Sequence, residues 1–440
     1  MTRMNARGDP MNSFPPNRAS TIATSLRCEL PNGVVALVQR NAIAPTVSVY
    51  GEIRVGAANE PPEKNGLSAF TSAALIRGAG HRTFQEIVAI TEAVGASVNA
   101  GGGMHSTGFA GRSLSEDVAL ILEILSDMVR APAFPDEEIE QLRGQFLMAL
   151  REDEQDTSVR ASRALRSIMF PPAHPYSRLS RGTIETISTL TRDDLIQFHR
   201  LYHPAATTIA VVGDIDPAAV IALIERFFGD WQVPGTPPQV TLPDPLPMPD
   251  QRRIHIALDG KSQTDIIWAV HGLDRRSPDY YAASVANMIL GQIGIGGRLG
   301  ERVREKQGLA YYCGSSLDAD LGAGPWTAMA GVNPAHVERA IDAIVHEIRQ
   351  FAAEGPTEQE LADARDFMTG RLAIGLETND SIASTLLGIE RYQLGLDYIE
   401  RYPTIIYSID RDQVVEVTRR YLDTDDYVIA TAGPPEPSVS

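Results

Sequence analysis

The chain has 440 residues, of which 43% are hydrophobic and 22% are charged, so it has the length and composition of a globular protein with roughly two or three domains. No apolar run is long enough to cross a bilayer, and a formal net charge of −17 repels phosphate backbones and anionic lipids, which argues against nucleic acid or membrane as a partner. Two cysteines, Cys28 and Cys313, are too few for a disulfide framework or a cysteine-built zinc site, and they fit a reducing compartment.

The first 24 residues are mostly polar and include three prolines. They lack the apolar segment of a secretory signal. We therefore expect residues 1–24 to form a disordered leader and the protein to be cytoplasmic.

Two later stretches each begin with strand-like alternation and continue with helical patterns. The strand patterns are GVVALVQR and TVSVYGEIRVGA in the first stretch, and RIHIAL and TDIIWAVHGL in the second. Helical patterns such as SEDVALILEILSDMVRA and AHVERAIDAIVHEIRQFAAEG follow. Because strands and helices are grouped rather than alternating, the sequence predicts an α+β fold whose sheets are mixed, mostly antiparallel, with helices packed on one face.

A proline-rich segment separates the two stretches. Val233–Pro249 holds seven prolines, which remove backbone donors and favour an extended chain. We therefore predict an N-terminal domain over residues 25–232, a linker over 233–250 and a C-terminal domain over 251–435.

The two predicted domains resemble each other in sequence. LTRDDLIQFHRLYHPAATTIAVVGD begins at Leu190, and IDRDQVVEVTRRYLDTDDYVIATAG begins at Ile409. Each reads as a polar cap, an amphipathic helix closed by a tyrosine, and a strand. PDEEIEQLRGQFLMAL from Pro135 and PTEQELADARDFMTG from Pro356 match at nearly the same offset. The chain is therefore predicted to contain two copies of one domain.

Several motifs in fixed order carry a resemblance to a known family. Leu30–Gly80 contains LPNG, VGA and NGL; HPYSR follows at His174, YHPAATTIAVVGDID at Tyr202, and GGRLGERVREKQGLAYY at Gly296. In these motifs the chain resembles the pitrilysin, insulin-degrading enzyme and mitochondrial processing peptidase family of zinc peptidases. The resemblance implies two homologous domains that form a half-shell and close against a second subunit.

The zinc motif of that family is degenerate here. Its catalytic helix carries H-x-x-E-H, where two histidines bind zinc and the glutamate accepts a proton from the bound water. The matching positions hold Ala69, Ser72 and Ala73 in place of the two histidines and the glutamate. The third ligand position falls on Leu150, with Glu152 and Glu154 nearby. The resemblance therefore implies no metal in this chain and zinc in a partner subunit.

A second histidine pair offers an alternative metal site. His199 and His203 stand four apart in HRLYH, so a helix would place both on one face. Pro204 follows directly and no glutamate accompanies the pair, so we interpret both, like the other histidines, as structural or surface residues.

The second domain carries an arginine and a tyrosine at the spacing that the family uses. GGRLGERVREKQGLAYYCG predicts a helix with Leu299 and Val303 buried, a stop at Gly308, and a strand. The resemblance implies that Arg304 and Tyr311 bind the scissile carbonyl and stabilise the charge that develops on its oxygen. The alternative is that Arg304 pairs with Glu301 or a neighbouring carboxylate and that Tyr311 or Tyr312 only packs.

Two further segments are weaker candidates for substrate binding. Gly296 and Gly297, in a cluster with Gly291 and Gly294, resemble a glycine-rich loop that guides substrate, although close backbone approach explains such glycines equally well. VNAGGGMHSTGF, from Val98, resembles the edge strand on which an extended peptide docks.

These features lead to one functional hypothesis and two alternatives. The hypothesis is a non-zinc subunit of a heterodimeric zinc metallopeptidase, which is inactive alone, binds unfolded peptides and needs a homologous zinc-binding subunit. The alternatives are an inactive scaffold like the core proteins of a respiratory complex, and a peptide-binding homodimer.

Overall fold

The computed structural model describes residues 25–243, 247–248, 252–293 and 296–435. The predicted leader lies outside these ranges, as does Gly294. Within the described residues, no helix is long and apolar enough to span a membrane.

The strands fall into two main sheets and one short hairpin. The first half of the chain contributes β1 Leu26–Glu29, β2 Val35–Arg40, β3 Thr46–Ile53, β4 Gly78–Ala79, β5 Arg82–Thr83, β6 Ser97–Gly102, β7 Thr107–Leu114 and β8 Thr207–Gly213. The second half contributes β9 Arg253–Ala257, β10 Thr264–His271, β11 Ala310–Ala319, β12 Ala323–Val332 and β13 Val428–Gly433. The short hairpin pairs β4 with β5.

The helices also divide between the halves. The first half contains α1 Leu67–Ala74, α2 Phe84–Ala93, α3 Val118–Arg130, α4 Asp136–Asp153, α5 Thr157–Met169, α6 Ile184–Thr189, α7 Arg192–His199 and α8 Pro217–Phe228. The second half contains α9 Tyr280–Asn287, α10 Val337–Glu354, α11 Glu358–Gly375, α12 Asn379–Arg391, α13 Tyr398–Ser408 and α14 Arg411–Tyr421. Two π-helical segments, Met288–Gln292 and Gly300–Lys306, lie between α9 and β11.

The two large sheets share a five-strand topology, to which β1 adds a sixth strand at the edge of the first sheet. The strand order is β1-β2-β8-β3-β7-β6 in the first sheet and, written from the opposite edge, β9-β13-β10-β12-β11 in the second. Among the described strands, the one parallel pair in each sheet is the equivalent one, β2 with β8 and β9 with β13. The predicted α+β fold with mixed, mostly antiparallel sheets is therefore confirmed, and the common strand order matches the internal repeat.

The repeated helices begin in the same way. The Thr191 hydroxyl accepts a hydrogen bond from the Asp194 amide at the start of α7, and the Asp410 carboxylate accepts one from the Gln413 amide at the start of α14. In both helices the third residue bonds back to the cap, which completes a capping box. The polar cap in each copy of the repeat thus sets where its helix starts.

One face of each sheet packs against helices from its own half. In the first half, alternate residues such as Val47 and Val49 are fully buried in a core shared with α3 and α8. In the second half, Trp268 and Trp326 occupy the corresponding core with α10 and α14. These are the helix-covered faces that the sequence pattern predicts.

The other face of each sheet is covered by a helix from the opposite half. Leu386 of α12 packs with Leu37 and Val212 of the first sheet. Leu165 of α5 packs with Ala269 and Ala430 of the second. The two halves therefore exchange one helix each, and neither sheet buries both faces with its own residues.

Candidate functional site

The degenerate zinc-motif positions lie on α1, directly after Gly66. Gly66 has a φ of +94°, a left-handed conformation that suits glycine and turns the chain into the helix. Along α1, the Ser72 hydroxyl donates to the Ala69 carbonyl at 2.9 Å. Among the described residues, no group of three or more His, Cys, Asp or Glu side chains is arranged to hold a metal ion.

Strand β6 packs closely on this part of α1. A Cβ added to Gly102 would lie 2.9 Å from the Ser72 Oγ and 3.0 Å from the Ala69 Cα. Such distances are too short for a side chain, so the contact needs glycine at this position. The small residues of α1 are therefore covered by backbone.

The third ligand position is also unsuited to a metal. Leu150 on α4 is 1% exposed and belongs to the core of the first half. Glu154, at the end of α4, forms ion pairs with Arg160 and Arg163, while Glu152 is exposed. The partly buried Glu154 carboxylate is thus neutralised by two arginines, and the partly buried Asp153 carboxylate pairs with Arg181.

The alternative histidine pair does not form a site. The His199 Nε2 bonds to the Val129 carbonyl at 2.7 Å, and the His203 Nδ1 accepts a hydrogen bond from the Ala205 amide at 3.1 Å. Burial lowers the pKa of His199. The two imidazoles serve different backbone groups, which supports the structural interpretation of the sequence.

Arg304 lies on the predicted helix before the predicted stop. Leu299 and Val303 are fully buried, and Gly308 has a φ of +62°. The Arg304 side chain is 36% exposed, and its Nε lies 3.6 Å from a Glu305 carboxylate oxygen. The helix, the glycine stop and the strand are therefore confirmed, and the contact of Arg304 is a long ion pair with its neighbour.

Glu301, the other suggested partner of Arg304, is paired elsewhere. The Lys306 Nζ lies 2.8 Å from a Glu301 carboxylate oxygen. Arg304 thus has one carboxylate partner among the described residues, and that pair is at the surface, where such contacts contribute little stability.

Tyr311 occupies a β-bulge at the edge of the second sheet. In the pairing of β11 with β12, Ala310 lies opposite Val332 and Tyr312 lies opposite Gly331, so Tyr311 has no partner. Bulges of this kind re-aim side chains at strand edges. Tyr311 is 58% exposed, and no hydrogen bond of its hydroxyl is found in the described structure.

The adjacent Tyr312 has a structural role. Its hydroxyl donates to the carboxylate of Asp265, which is 2% exposed on β10. A Cβ added to Gly331 would lie 2.4 Å from the Tyr312 ring, so the ring packs directly on this glycine. Burial and the Asp265 carboxylate raise the pKa of Tyr312. Of the two tyrosines, Tyr311 is the one left free at the surface.

The structure places Arg304 and Tyr311 on either side of the Gly308 turn. Within the described ranges, no hydrogen bond or ion pair joins the two side chains to each other or to α1. The pair and the degenerate zinc helix are therefore separate features of this chain, carried by different halves.

The glycine cluster is closely packed. A Cβ on Gly297 would lie 2.8 Å from the Gly291 Cα, and a Cβ on Gly291 would lie 2.6 Å from the Ser315 amide nitrogen. Close backbone approach thus accounts for Gly291 and Gly297, which was one of the two explanations open from the sequence. Gly296 is exposed, and its role in substrate binding stays a prediction.

The predicted peptide-docking strand is at the edge of its sheet. Strand β6 ends the first sheet, and β11, which carries Tyr311, ends the second. Sequence reasoning missed the Asp265–Tyr312 link, although an aspartate inside the apolar strand TDIIWAVH was a signal for a buried polar contact.

Comparisons with known proteins agree with this arrangement. Two family models match, "Insulinase (Peptidase family M16)" over residues 35–178 and "Peptidase M16 inactive domain" over residues 189–368. An uncharacterized zinc protease of Mycobacterium leprae is 27% identical, with 84% of this chain and 83% of that protein covered. The beta subunit of mitochondrial-processing peptidase from Saccharomyces cerevisiae is 23% identical, with 84% and 82% covered.

A solved structure shows the same fold over nearly the whole chain. The peptidase M16 inactive domain from Pseudomonas fluorescens superposes with a TM-score of 0.86 at 26% identity, covering 93% of this chain and 98% of that one. The resemblance inferred from LPNG, HPYSR and GLAYY is therefore confirmed: the chain belongs to peptidase family M16.

Proposed function

We propose that this chain is the non-zinc subunit of a two-subunit metallopeptidase. In this proposal it forms one side of a shared chamber and supplies Arg304 and Tyr311 to a zinc site on a homologous subunit. The observation that carries the proposal is the contrast between its two halves, one with unusable metal positions and the other with an exposed arginine and tyrosine at family spacing.

The metal positions support inactivity of the isolated chain. Ala69 and Ala73 have no donor atom, and the Ser72 hydroxyl is bonded within α1. Leu150 is buried among apolar side chains. A hydrolytic zinc site needs three protein ligands and a base, so a zinc-bound water would have to come from another subunit.

Arg304 and Tyr311 suit the stabilisation of a developing oxyanion. A guanidinium carries a permanent charge and a phenol is a neutral donor, so both can donate to an oxygen near neutral pH. Zinc in the partner would polarise the carbonyl, and these donors would hold its oxygen as charge develops. Their exposure is what a site completed by a second surface requires.

The proposed partners are an M16 subunit with an intact H-x-x-E-H helix and unfolded peptides. One relative is named a subunit of mitochondrial-processing peptidase, which is consistent with a function of this chain in an assembly of subunits. The net charge of −17 favours basic peptides over polyanions. We expect the protein to work in the cytoplasm.

The test is reconstitution with an H-x-x-E-H subunit from the same genome. Each protein alone and the mixture would be assayed for cleavage of an unfolded, fluorescence-quenched peptide and for bound zinc. We expect cleavage in the mixture only. Tyr311→Phe and Arg304→Ala should each lower kcat by on the order of a hundred- to a thousandfold, as loss of an oxyanion donor does elsewhere.

Two matched variants control for indirect effects. Tyr312→Phe removes the neighbouring phenol and should lower stability without a comparable loss of kcat. Lys306→Ala removes a cation from the same helix and should leave turnover unchanged. Equal activity of the Arg304 and Tyr311 variants and the wild-type mixture would contradict the assigned roles.

A scaffold role remains the second candidate, favoured by one contact. Arg304 has a carboxylate neighbour in Glu305, which a purely structural arginine would also have. A scaffold would associate with partner subunits but show no cleavage in any mixture, so the reconstitution assay separates the two functions.

A further inference from the structure

A cavity of about 410 Å³ lies in the second half, between α9, α11, α13 and β11. Its walls include four tyrosines and an arginine, namely Tyr280, Tyr281, Tyr398, Tyr402 and Arg371. Gln292 and Leu317 place the cavity beside the glycine-rich segment and on the strand that carries Tyr311. A ligand here would contact the elements that support the proposed catalytic pair.

One residue of the cavity, Arg371, lies at the repeat position that Leu150 occupies in the first half. Arg371 follows Pro356 by as many residues as Leu150 follows Pro135, in the aligned helices α11 and α4. In the first half this position is a buried leucine, whereas in the second it is an exposed arginine at the edge of the cavity. At the repeat position where the first half would hold the family's third metal ligand, the second half therefore has a positively charged arginine.

Neither nearby arginine has a carboxylate partner. Arg371 forms no hydrogen bond or ion pair with any described residue. Arg275, behind the tyrosines, is 8% exposed, and its guanidinium has no ion pair in the described part of the chain. Buried charges are normally paired, so Arg275, a buried guanidinium without a carboxylate partner, favours an anionic ligand in this cavity, and the exposed Arg371 at the cavity edge adds a second positive charge.

The tyrosines around Arg275 are arranged as donors. The Arg275 Nη2 donates to the Tyr398 hydroxyl at 3.2 Å and to the Tyr281 hydroxyl at 3.4 Å, and its Cζ lies 3.7 Å from the centre of the Tyr280 ring. The Tyr281 and Tyr398 hydroxyls are also hydrogen-bonded to each other, which leaves one of their two hydrogens for another acceptor. Burial raises the pKa of Tyr402 to about 12, so this phenol also stays protonated.

Apart from Ser284, Asn287 and Gln292, the remaining side chains of the lining are apolar, which limits the kind of anion. Met288, Leu317, Met368 and Leu372 contribute hydrocarbon surface. Polyphosphates are usually held by several cations or backbone amides, and the acidic chain opposes them. A ligand with a single carboxylate next to an apolar group suits a cavity that offers one free arginine, phenol donors and apolar walls.

We propose that this cavity binds a peptide carboxylate that is adjacent to an aromatic or large aliphatic side chain. The carboxylate would lie against Arg371 and the phenols, and the side chain against the methionines and leucines. That the ligand is a peptide rests on the proposed function, whereas the anion and its apolar neighbour follow from the cavity itself. The carboxylate could be a peptide C-terminus or an acidic side chain.

Isothermal titration calorimetry on the full chain without any zinc-bearing subunit tests this. The three probes are N-acetyl-Ala-Ala-Phe with a free carboxylate, the same peptide as its C-terminal amide, and N-acetyl-Ala-Asp-Phe amide. We expect the free acid to bind at least tenfold more tightly than the first amide. Binding of the Asp peptide as well would identify any carboxylate as sufficient, and its failure would identify the C-terminus.

Substitutions inside and outside the cavity test whether the peptide binds there. Arg371→Ala should weaken binding of the acid about tenfold or more, Arg371→Lys should recover part of it, and Tyr402→Phe should weaken it several-fold. Arg339→Ala removes an exposed arginine from α10, outside the cavity, and should leave the affinity unchanged. Because Arg371 is exposed, its substitution should not disturb folding.

Three results would overturn the inference: equal binding of acid and amide, an affinity insensitive to Arg371→Ala, or displacement of the peptide by pyrophosphate at lower concentration than by acetate. The outcome is separable from that of the proposed function. Cleavage by the reconstituted mixture with no acid preference would remove only this inference, whereas acid-specific binding with no cleavage would remove only the catalytic proposal.

Discussion

Arg391, at the end of α12, donates two hydrogen bonds to the carboxylate of Glu52 on β3, at 2.7 Å and 2.5 Å. Glu52 is 7% exposed, so the pair is largely removed from water. The same guanidinium donates to the Ser106 hydroxyl at 2.9 Å. A residue of the second half thus neutralises a buried charge of the first.

Arg391→Met should lower the free energy of unfolding by about 3 kcal/mol or more, because it leaves the Glu52 carboxylate buried without a partner. Urea denaturation followed by far-UV circular dichroism measures the change. Arg401→Met is the matched control, since Arg401 pairs with Asp397 on the surface and its loss should have little effect on stability. Equal effects of the two variants would contradict the role of the Glu52 pair.

Because each sheet is covered on one face by a helix from the opposite half, we expect neither half to be stable alone. Residues 25–232 without α12 would expose the apolar face that includes Leu37 and Val212. We expect this fragment to be aggregated or to bind a hydrophobic dye, and to fold when co-produced with residues 233–440. Size-exclusion chromatography and dye fluorescence measure this. A monomeric, cooperatively unfolding 25–232 fragment would show that the exchange is dispensable.

Substitution by alanine should have opposite effects on stability at a closely packed glycine and at an open helical glycine. Gly297→Ala should destabilise the chain by about 1–3 kcal/mol, because the new methyl group would overlap Gly291. Gly370 lies inside α11 with no atom near its Cβ position, so Gly370→Ala should stabilise by about 0.5–1 kcal/mol. Thermal unfolding of both variants gives the comparison, and a neutral Gly297→Ala would contradict the close packing.

Buried histidines predict a loss of stability at mildly acidic pH. Burial lowers the pKa values of His105, His174 and His199 from an ordinary value of 6.5. Below about pH 6.5 the unfolded chain therefore binds more protons than the folded chain, and the free energy of unfolding falls as pH falls. Above that pH these groups are neutral in both states and add no slope.

His199→Gln tests this dependence because glutamine can keep a donor for the Val129 carbonyl without titrating. The variant should have a shallower slope below pH 6.5, by at most about 1.4 kcal/mol per pH unit. Urea unfolding at several pH values measures the slope. His81→Gln, at an exposed position, should leave it unchanged, and a slope unaffected by His199→Gln would exclude this histidine as a source.

Local patterns in the sequence predicted the repeat and the elements around the candidate site. The capped starts of α7 and α14 depend on residues within one helical turn, and the stop at Gly308 depends on one glycine. The α+β class followed from the same local signals, since hydrophobic periods of two and 3.6 residues distinguish strands from helices. The family's motifs then identified Ala69, Ser72, Ala73, Arg304 and Tyr311.

Long-range relationships could not be predicted in this way. The packing of α12 on the first sheet joins Leu386 to Leu37 across most of the chain. The bulge at Tyr311 depends on how β11 is registered against β12, which neither strand determines alone. The unpaired state of Arg371 is a property of its surroundings, so the sequence gives no indication of the cavity beside it.

The central claim is that this chain completes a peptidase site without holding its metal. The most direct measurement is the zinc content and peptide cleavage of the purified chain, alone and mixed with an H-x-x-E-H subunit, using wild type and Tyr311→Phe. We predict no stoichiometric zinc and no cleavage by the chain alone, cleavage by the wild-type mixture, and at least a hundredfold lower kcat with Tyr311→Phe. One bound zinc per isolated chain together with unaided cleavage would contradict the account.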